Sequence, residues 1–394
     1  MKIALVIDRF LPAKGGGERY VQILAQRLAE RGHAVTILAR RFPDNTPPKG
    51  IRYHRVGVPG WPGFLKVLRF ARQCREEITE GDFDIVHDVG HTIGADIFNP
   101  HGGVEQVWLE RYFASYNNAC HRGFKRIQRF LSPKERVTLS LQRQQYLSEE
   151  TRRILAISPM IREHIRAHYP QIPSGKIALI ENPAELTRFS PKNRKMYRAE
   201  ERKRLNLSNG EIALLFVGNN FRLKGLHPLL RSLTVLGEMA DNSHPFRLLV
   251  AGNESPKRWK RLADKLGVGR RVTFLGPSSE MERLYAASDI FVLPTFYDSA
   301  ALVVLEALAS GLPVITSRWN GTHTLIDVPA AGMVLEDNDN PEEIAKAIYR
   351  FFPEEIREEA LQQSPRLVAS VGLDNHIDRI LQLYDEVIKE KAHG

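Results

Sequence analysis

Short apolar runs alternate with stretches of helical periodicity along most of the chain. Ile3–Ile7, Ala34–Leu38, Ile51–Val56 and Asp84–His87 read as short strands. Near-continuous apolar runs of this kind suit strands buried on both faces. Between the first two, Tyr20, Val21, Leu24 and Leu28 mark one helical face, preceded by Gly15-Gly16-Gly17 and followed by Gly32, a natural C-terminal cap. Strands separated by helices predict βαβ units and a parallel sheet. The pattern restarts after a proline-punctuated stretch from Glu181-Asn182-Pro183 to Ser190-Pro191. Its later strands are Ile212–Val217, Arg247–Ala251, Val272–Leu275, Ile290–Leu293 and Pro313–Thr316. The fold class is therefore α/β, with two Rossmann-like domains whose parallel sheets face a central cleft. Ligands in such sheets sit at the carboxyl ends of the strands. Asp374–Ala392 closes the chain with helical spacing at Ile377, Ile380, Leu381, Tyr384, Val387 and Ile388.

Composition narrows this reading. With 394 residues, 43% hydrophobic and 26% charged, the chain suits two or three globular domains. The net charge of +10 is uneven. Residues 1–185 carry 28 Lys/Arg against 19 Asp/Glu, and the remainder 28 against 27. Eight basic residues and one acidic residue, Glu135, lie between Arg111 and Arg143. A uniformly basic nucleic-acid binder is excluded, and a local basic platform takes its place. Cys74 and Cys120 cannot build a disulfide framework or a four-ligand zinc site, which fits a reducing cytoplasm. The N-terminal apolar run stops at Asp8, short of the roughly 7–15 residues of a signal-peptide core.

Several loops carry candidate chemistry. Gly15-Gly16-Gly17 opens a helix and could let backbone N–H groups approach an anion, although neither a dinucleotide fingerprint nor a Walker loop is present. Gly218 ends a strand, and Arg222 and Lys224 follow in a loop where they could neutralise a diphosphate. The most informative stretch runs from Leu293 to Ile315. Asp298 reads as the start of a helix, where an acidic cap is ordinary. Glu306, eight residues on, lies about 80° past two full turns on nearly the same face. A carboxylate on an otherwise apolar, buried helix demands a partner. His101 closes a short strand beside two glycines. His87/His91 and His164/His168 have i, i+4 spacing but lack the Glu of a zinc-protease motif, so no metal site is expected. Asp82/Asp84 and Asp337/Asp339 match only a loose metal–nucleotide pattern. Trp108, Leu109, Tyr112, Phe113 and Tyr116 form an aromatic helical stripe. Arg122, Lys125, Arg126 and Arg129 follow, interleaved with Phe124, Phe130 and Leu131, a composition suited to anionic membrane surfaces or to a solvated basic face.

Together these motifs resemble the glycosyltransferases of family 4, retaining sugar-nucleotide enzymes of the GT-B fold. The resemblance runs over the whole chain. It rests on the Gly-Gly loop with Glu18-Arg19, Asn182-Pro183 with Phe189-Ser190-Pro191, Lys224-Gly225, and the acidic-x7-Glu helix followed by Ala-Leu-Ala-Ser-Gly-Leu-Pro-Val-Ile. Within the family the chain is most similar to the lipopolysaccharide-core glucosyltransferases that add glucose to the first heptose. The resemblance implies an acceptor-binding domain of residues 1–185 plus 374–394, and a sugar-nucleotide domain of residues 186–373. It implies that Gly15 and Gly16 offer amides to the β-phosphate, that Arg222 and Lys224 neutralise the leaving diphosphate, and that Gly218 belongs to the phosphate loop. Asp298 and Ser299 would contact the sugar, the amides of Ala300, Ala301 and Leu302 the phosphate and sugar, and Glu306 the ribose. His101 would sit near the anomeric centre, where the nearest relatives carry Asp. Asp298 likewise stands where the family usually has Glu. No cofactor or metal is implied beyond a nucleotide-sugar donor, UDP-glucose in the nearest relatives. The implied partners are that donor, a glycolipid acceptor and an anionic membrane surface met through Trp108–Arg143, without nucleic acid. The implied location is cytoplasmic, peripheral on the inner face of the membrane. Competing readings are another donor and acceptor within the family, a sugar-nucleotide epimerase, and a non-enzymatic basic adaptor.

Overall fold

β1 (Lys2–Val6) buries Ile3, Ala4, Leu5 and Val6 completely, as a strand covered on both faces does. The computed structural model describes residues 1–12, 15–44, 46–58, 63–90, 92–240 and 244–393. The chain divides into two units, Met1–Asn182 with Asp374–Gly394, and Pro183–Leu373. In the first unit β1 is joined by β2 (Ala34–Ala39), β3 (Ile51–Arg55), β4 (Ile85–Asp88), β5 (Ile97–Phe98), β6 (Arg153–Ala156) and β7 (Ile177–Leu179). Their order is β3-β2-β1-β4-β5-β6-β7, all parallel. In the second unit β8 (Ile212–Val217), β9 (Phe246–Ala251), β10 (Val272–Gly276), β11 (Ile290–Leu293), β12 (Val314–Ser317) and β13 (Gly332–Leu335) run β10-β9-β8-β11-β12-β13, again parallel. Both orders are doubly wound, and the GT-B fold is built from two such units.

The helices of the first unit include α1 (Gly16–Glu30), α2 (Gly63–Glu80), α3 (Glu105–Ala114), α4 (Ala119–Phe130) and α5 (Pro133–Leu147). α1 ends as its sequence suggests. Gly32 takes φ +84°, and the N–H groups of Gly32 and His33 close on Ala29 and Leu28.

The last helix, Leu373–His393, packs back onto the first unit through specific polar contacts. His376 Nδ1 donates to the Glu181 carbonyl at 2.8 Å, which leaves Nε2 to accept from the Tyr20 hydroxyl at 3.3 Å. Arg379 bonds Glu181 Oε2 and the Leu179 carbonyl at 3.0 and 2.6 Å. Tyr384 Oη meets His87 Nδ1 at 2.7 Å in mid-sheet, where His87 stands in register with Leu5 and Ile97. Lys391 reaches Asp96 at 3.1 Å.

Candidate functional site

In the second unit the strand order reverses between β8 and β11, and the loops after those strands meet. The Phe296 N–H donates to the Leu223 carbonyl at 2.7 Å, and the Thr295 hydroxyl lies within bonding distance of the Leu223 and Tyr297 carbonyls, at 3.1 and 3.0 Å. Lys224 and Asp298 are thereby brought together as an ion pair, their side chains only 19% and 16% exposed. Two glycines make this approach feasible. Gly225 has φ +83°, and a Cβ there would lie 2.0 Å from the Pro294 carbonyl oxygen. A Cβ on Gly218 would fall 2.9 Å from Lys224 Cγ, so the lysine stem needs a glycine at the strand end. Arg222 lies half-buried in the same loop.

The next helix starts later than the sequence suggests. It spans Leu302–Ala309, with Ala301 before its first turn. Asp298 lies outside it and is not its cap. Instead Asp298 pairs in parallel with Asn320, its N–H donates to the Trp319 carbonyl at 2.9 Å, and its Oδ1 accepts from the Ala300 N–H at 3.3 Å. The Ala301 N–H donates to Asn320 Oδ1 at 3.2 Å. The correction has a tertiary cause. The loop after β12, some twenty residues on, bonds the backbone at Asp298 and Ala301 and so holds this stretch outside the helix. Ser299, Ala300 and Ala301 are buried along this stretch, and Leu302 opens the helix.

Glu306 is 6% exposed and has a specific partner. The Tyr285 hydroxyl, from the helix Met281–Ala287, lies 2.8 Å from Glu306 Oε2 and 3.1 Å from the Val303 carbonyl. One hydroxyl proton can serve only one of these acceptors at a time. The Tyr285 ring is held edge-on by Phe189 at 5.6 Å. Sequence reasoning missed both Tyr285 and Asn320. Neither carries a local signal, because each reaches the site only through the strand order.

Gly15, Gly16 and His101 belong to the first unit. The His101 ring stacks on Tyr20 at 4.7 Å, and a Cβ on Gly17 would lie 3.3 Å from His101 Cδ2. Gly15 is the residue before α1, and Gly16 is exposed at its first turn. The Glu18 carboxylate folds over Gly15, with Oε2 only 2.0 Å from where a Cβ would stand. A cavity of about 800 Å³ opens where the order reverses between β1 and β4, lined among others by Asp8, Glu18, Arg40, His101, Glu105 and Trp108. Burial pushes the Glu105 carboxyl up to about 7, with Glu135 adding to the shift. Asp88, fully enclosed beside this cavity, is also raised by burial to about 7. It accepts from the Gly90 and Thr92 N–H groups at 2.8 and 3.1 Å and from Gln145 Nε2 at 2.5 Å.

The basic aromatic segment forms α3, α4 and α5. Phe124, Ile127, Phe130 and Leu131 stand 62–73% exposed on and just after α4. Arg129 faces the other way and is not part of a solvated basic face. Its guanidinium stacks over Trp108 and Tyr112 at 5.2 and 4.6 Å and pairs with Glu135.

The remaining candidates lie elsewhere. Asp82 pairs with Lys2 and Asp84 accepts the Lys2 N–H at 2.6 Å, both beside the N-terminal end of β1. Asp337 accepts the Asp339 N–H at 3.0 Å in a local turn. His87 is a mid-sheet residue, His91 lies outside the described residues, and His168 Nδ1 bonds the His164 carbonyl at 3.0 Å. Among the described residues no three His, Cys, Asp or Glu side chains group as a metal site. Nor is any described helix long and apolar enough to cross a membrane.

Comparison with known proteins agrees with this architecture. Residues 14–188 match the family model described as Glycosyltransferase Family 4, and residues 197–367 match Glycosyl transferases group 1. The lipopolysaccharide glucosyltransferase WaaG of Escherichia coli K12 is 24% identical, with 100% of this chain and 97% of the relative covered. A D-inositol 3-phosphate glycosyltransferase of Corynebacterium urealyticum is 30% identical over 53% of this chain and 51% of its own. A crystal structure of WaaG superposes with a TM-score of 0.81 at 20% identity, covering 97% of this chain and 99% of the other.

Proposed function

We propose that this chain, which belongs to the family 4 glycosyltransferases, is a retaining, metal-independent hexosyltransferase that moves glucose from UDP-glucose onto a lipopolysaccharide-core heptose. The observation that carries the proposal is the pairing of Lys224 with Asp298, together with a buried Glu306 held by Tyr285 in the same unit. A cation at the end of one strand and two carboxylates after the next suit a nucleotide sugar, which offers a diphosphate and two sets of hydroxyls. Similarity to a lipopolysaccharide glucosyltransferase over nearly the full length supports the choice of donor and acceptor.

In this reading Arg222 and Lys224 neutralise the diphosphate, and Gly218 keeps the loop close to it. Asp298 and Ser299 accept hydrogen bonds from the sugar, the backbone at Ala300–Leu302 supports phosphate and sugar, and Glu306 binds the ribose hydroxyls. In the first unit Gly15 and Gly16 approach the β-phosphate, and His101 stands beside the acceptor. The bond from the anomeric carbon to the β-phosphate oxygen breaks as the bond to the acceptor oxygen forms. The acceptor proton passes to the departing phosphate on the same face, which retains configuration. Stabilising the charge on the leaving group is the main catalytic contribution.

The exposed apolar residues of α4, flanked by Arg122, Lys125 and Arg126, suit docking to an anionic membrane. The enzyme then works peripherally on the inner face of the cytoplasmic membrane. A binding-only adaptor would leave Glu306 and its tyrosine without purpose.

A thermal-shift series with UDP-, GDP- and ADP-sugars in EDTA tests the donor. UDP-glucose at 100 times its Kd is expected to add about 2.7 kcal/mol of stability, the others far less. Equal shifts with all, or none, would reject it.

A further inference from the structure

In the second unit a carboxylate stands among loops where a diphosphate calls for positive charge. Glu254 lies in the loop after β9, beside the turn after β8 that carries Arg222 and Lys224. Its Oε2 accepts the Phe221 N–H at 2.6 Å, and its Oε1 accepts the Trp259 indole N–H at 2.9 Å. Trp259 is buried on the helix Lys257–Lys265, and the Arg258 guanidinium lies 4.2 Å from the centre of a Trp259 ring. Arg258 also approaches Glu254 Oε1 at 3.5 Å. Both carboxylate oxygens are engaged, and one of them reaches across to the neighbouring turn.

That turn is bonded closely within itself. The Lys224 N–H donates to the Asn220 carbonyl at 2.9 Å, the Leu226 N–H to the Phe221 carbonyl at 2.8 Å, and the Leu223 N–H to Asn220 Oδ1 at 3.2 Å. Its start is tied sideways to the loop after β9. The Asn253 N–H donates to Asn219 Oδ1 at 3.2 Å. Gly252 has φ +150°, and a Cβ there would lie 1.8 Å from the Gly218 carbonyl oxygen, so the two loops meet only because this residue has no side chain. The buried Phe221 ring packs against Phe216 and Trp259 at 5.8 and 6.1 Å. Phe221 immediately precedes Arg222, so its bond to Glu254 fixes the backbone from which that guanidinium extends.

A carboxylate bonded to the residue before Arg222 opposes an incoming anion, so its presence calls for a compensating gain. Such an acceptor holds an N–H about twice as strongly as a neutral carbonyl does. Groups held in place before a ligand arrives lose less freedom when it binds. We propose that Glu254 is a positioning residue for the donor: by accepting the Phe221 N–H it holds the turn so that Arg222 and Lys224 meet the diphosphate without rearranging. Trp259 and Arg258 orient the carboxylate in turn. The proposal rests on the nucleotide-sugar reading and adds to it a residue whose own charge is wrong for the donor.

Calorimetry on the full chain in EDTA with UDP and inorganic pyrophosphate, and saturation-transfer NMR with uridine, test this. Glu254→Ala should weaken UDP and pyrophosphate about tenfold, the scale of a lost hydrogen bond to a charged group, and leave uridine unchanged. Glu254→Gln, which keeps an oxygen for the Phe221 N–H, should restore most of that affinity. Without ligand, hydrogen exchange over residues 219–226 should be faster than wild type in Glu254→Ala and not in Glu254→Gln. Unchanged or tighter diphosphate binding by Glu254→Ala, an equal loss on uridine, or no recovery in Glu254→Gln would overturn the inference. So would unchanged exchange in Glu254→Ala. GDP and ADP on the same samples separate the two claims. If wild type prefers either to UDP, the UDP assignment fails and the Glu254 comparison is read on pyrophosphate. If wild type binds no diphosphate, both fail.

Discussion

Lys224 and Asp298 neutralise one another in a half-buried loop, so each holds the other in place for an incoming ligand. Removing Lys224 takes away the charge that would meet the diphosphate. Lys224→Ala is expected to lower kcat roughly 10²–10³-fold in a transfer assay, as loss of a donor to a developing anion does. Its Tm should remain close to wild type, because the site lies at a loop. Tyr285→Phe makes a finer test. It keeps the ring packed against Phe189 and removes only the hydroxyl from Glu306. Donor KM should rise roughly tenfold with kcat little changed, since a hydrogen bond to a charged group is worth about 1.5–3 kcal/mol. With 2′-deoxy-UDP-glucose the difference between variant and wild type should shrink. Equal losses on both donors would mean that Tyr285 is merely structural. At this scale the sequence is legible where chemistry conflicts with context. Glu306 stands out because its neighbours are apolar, and Lys224 because a glycine-bounded loop carries it. Tyr285 and Asn320 do not stand out, and Asp298 is misread as a helix cap, because strand order and a remote loop determine all three.

The long interior strands could be read directly from their apolar runs, and β8 and β11 have the expected limits. Strands β6, β7 and β13, which lie toward one side of each sheet, could not. The final helix shows what periodicity omits. Its spacing gives a buried face but not the histidines that fasten it. Burial lowers His376 to about 4 and His87 to about 3, so both are neutral in the folded unit. In the unfolded chain they titrate near 6.5. Between those values the unfolded state binds more protons, so the stability present above pH 6.5 is lost as pH falls toward 4. Each histidine should contribute about 1 kcal/mol of loss per pH unit in that window. Urea melts of His376→Gln from pH 7 to 5 should show a shallower decline than wild type. Glutamine can still donate to the Glu181 carbonyl and accept from Tyr20. An unchanged slope would mean that His376 does not control the acid response.

Over the whole molecule, the positive charge and the exposed apolar surface coincide. Most of the net +10 comes from the 111–143 segment, and α4 carries much of it beside Phe124, Ile127, Phe130 and Leu131. Replacing those four with Ser should abolish binding to anionic vesicles in a flotation assay. Wild-type binding should fade at high salt as the charges are screened. Retention of vesicle binding by the Ser variant would remove α4 as the docking surface. The two-domain α/β architecture was legible from the repeated strand–helix rhythm, and the direction of Arg129 was not, since a basic residue near aromatics can face either solvent or rings. The central claim is that Lys224 and Glu306 serve a nucleotide-sugar transferase. The most direct measurement is transfer of radiolabelled glucose from UDP-glucose to a heptose-terminated core glycolipid in EDTA, with the anomeric configuration of the product read by NMR. An α-linked product is expected from wild type, with turnover at least about 100-fold lower in Lys224→Ala and Glu306→Ala. A β-linked product, or near-normal turnover in both variants, would contradict it.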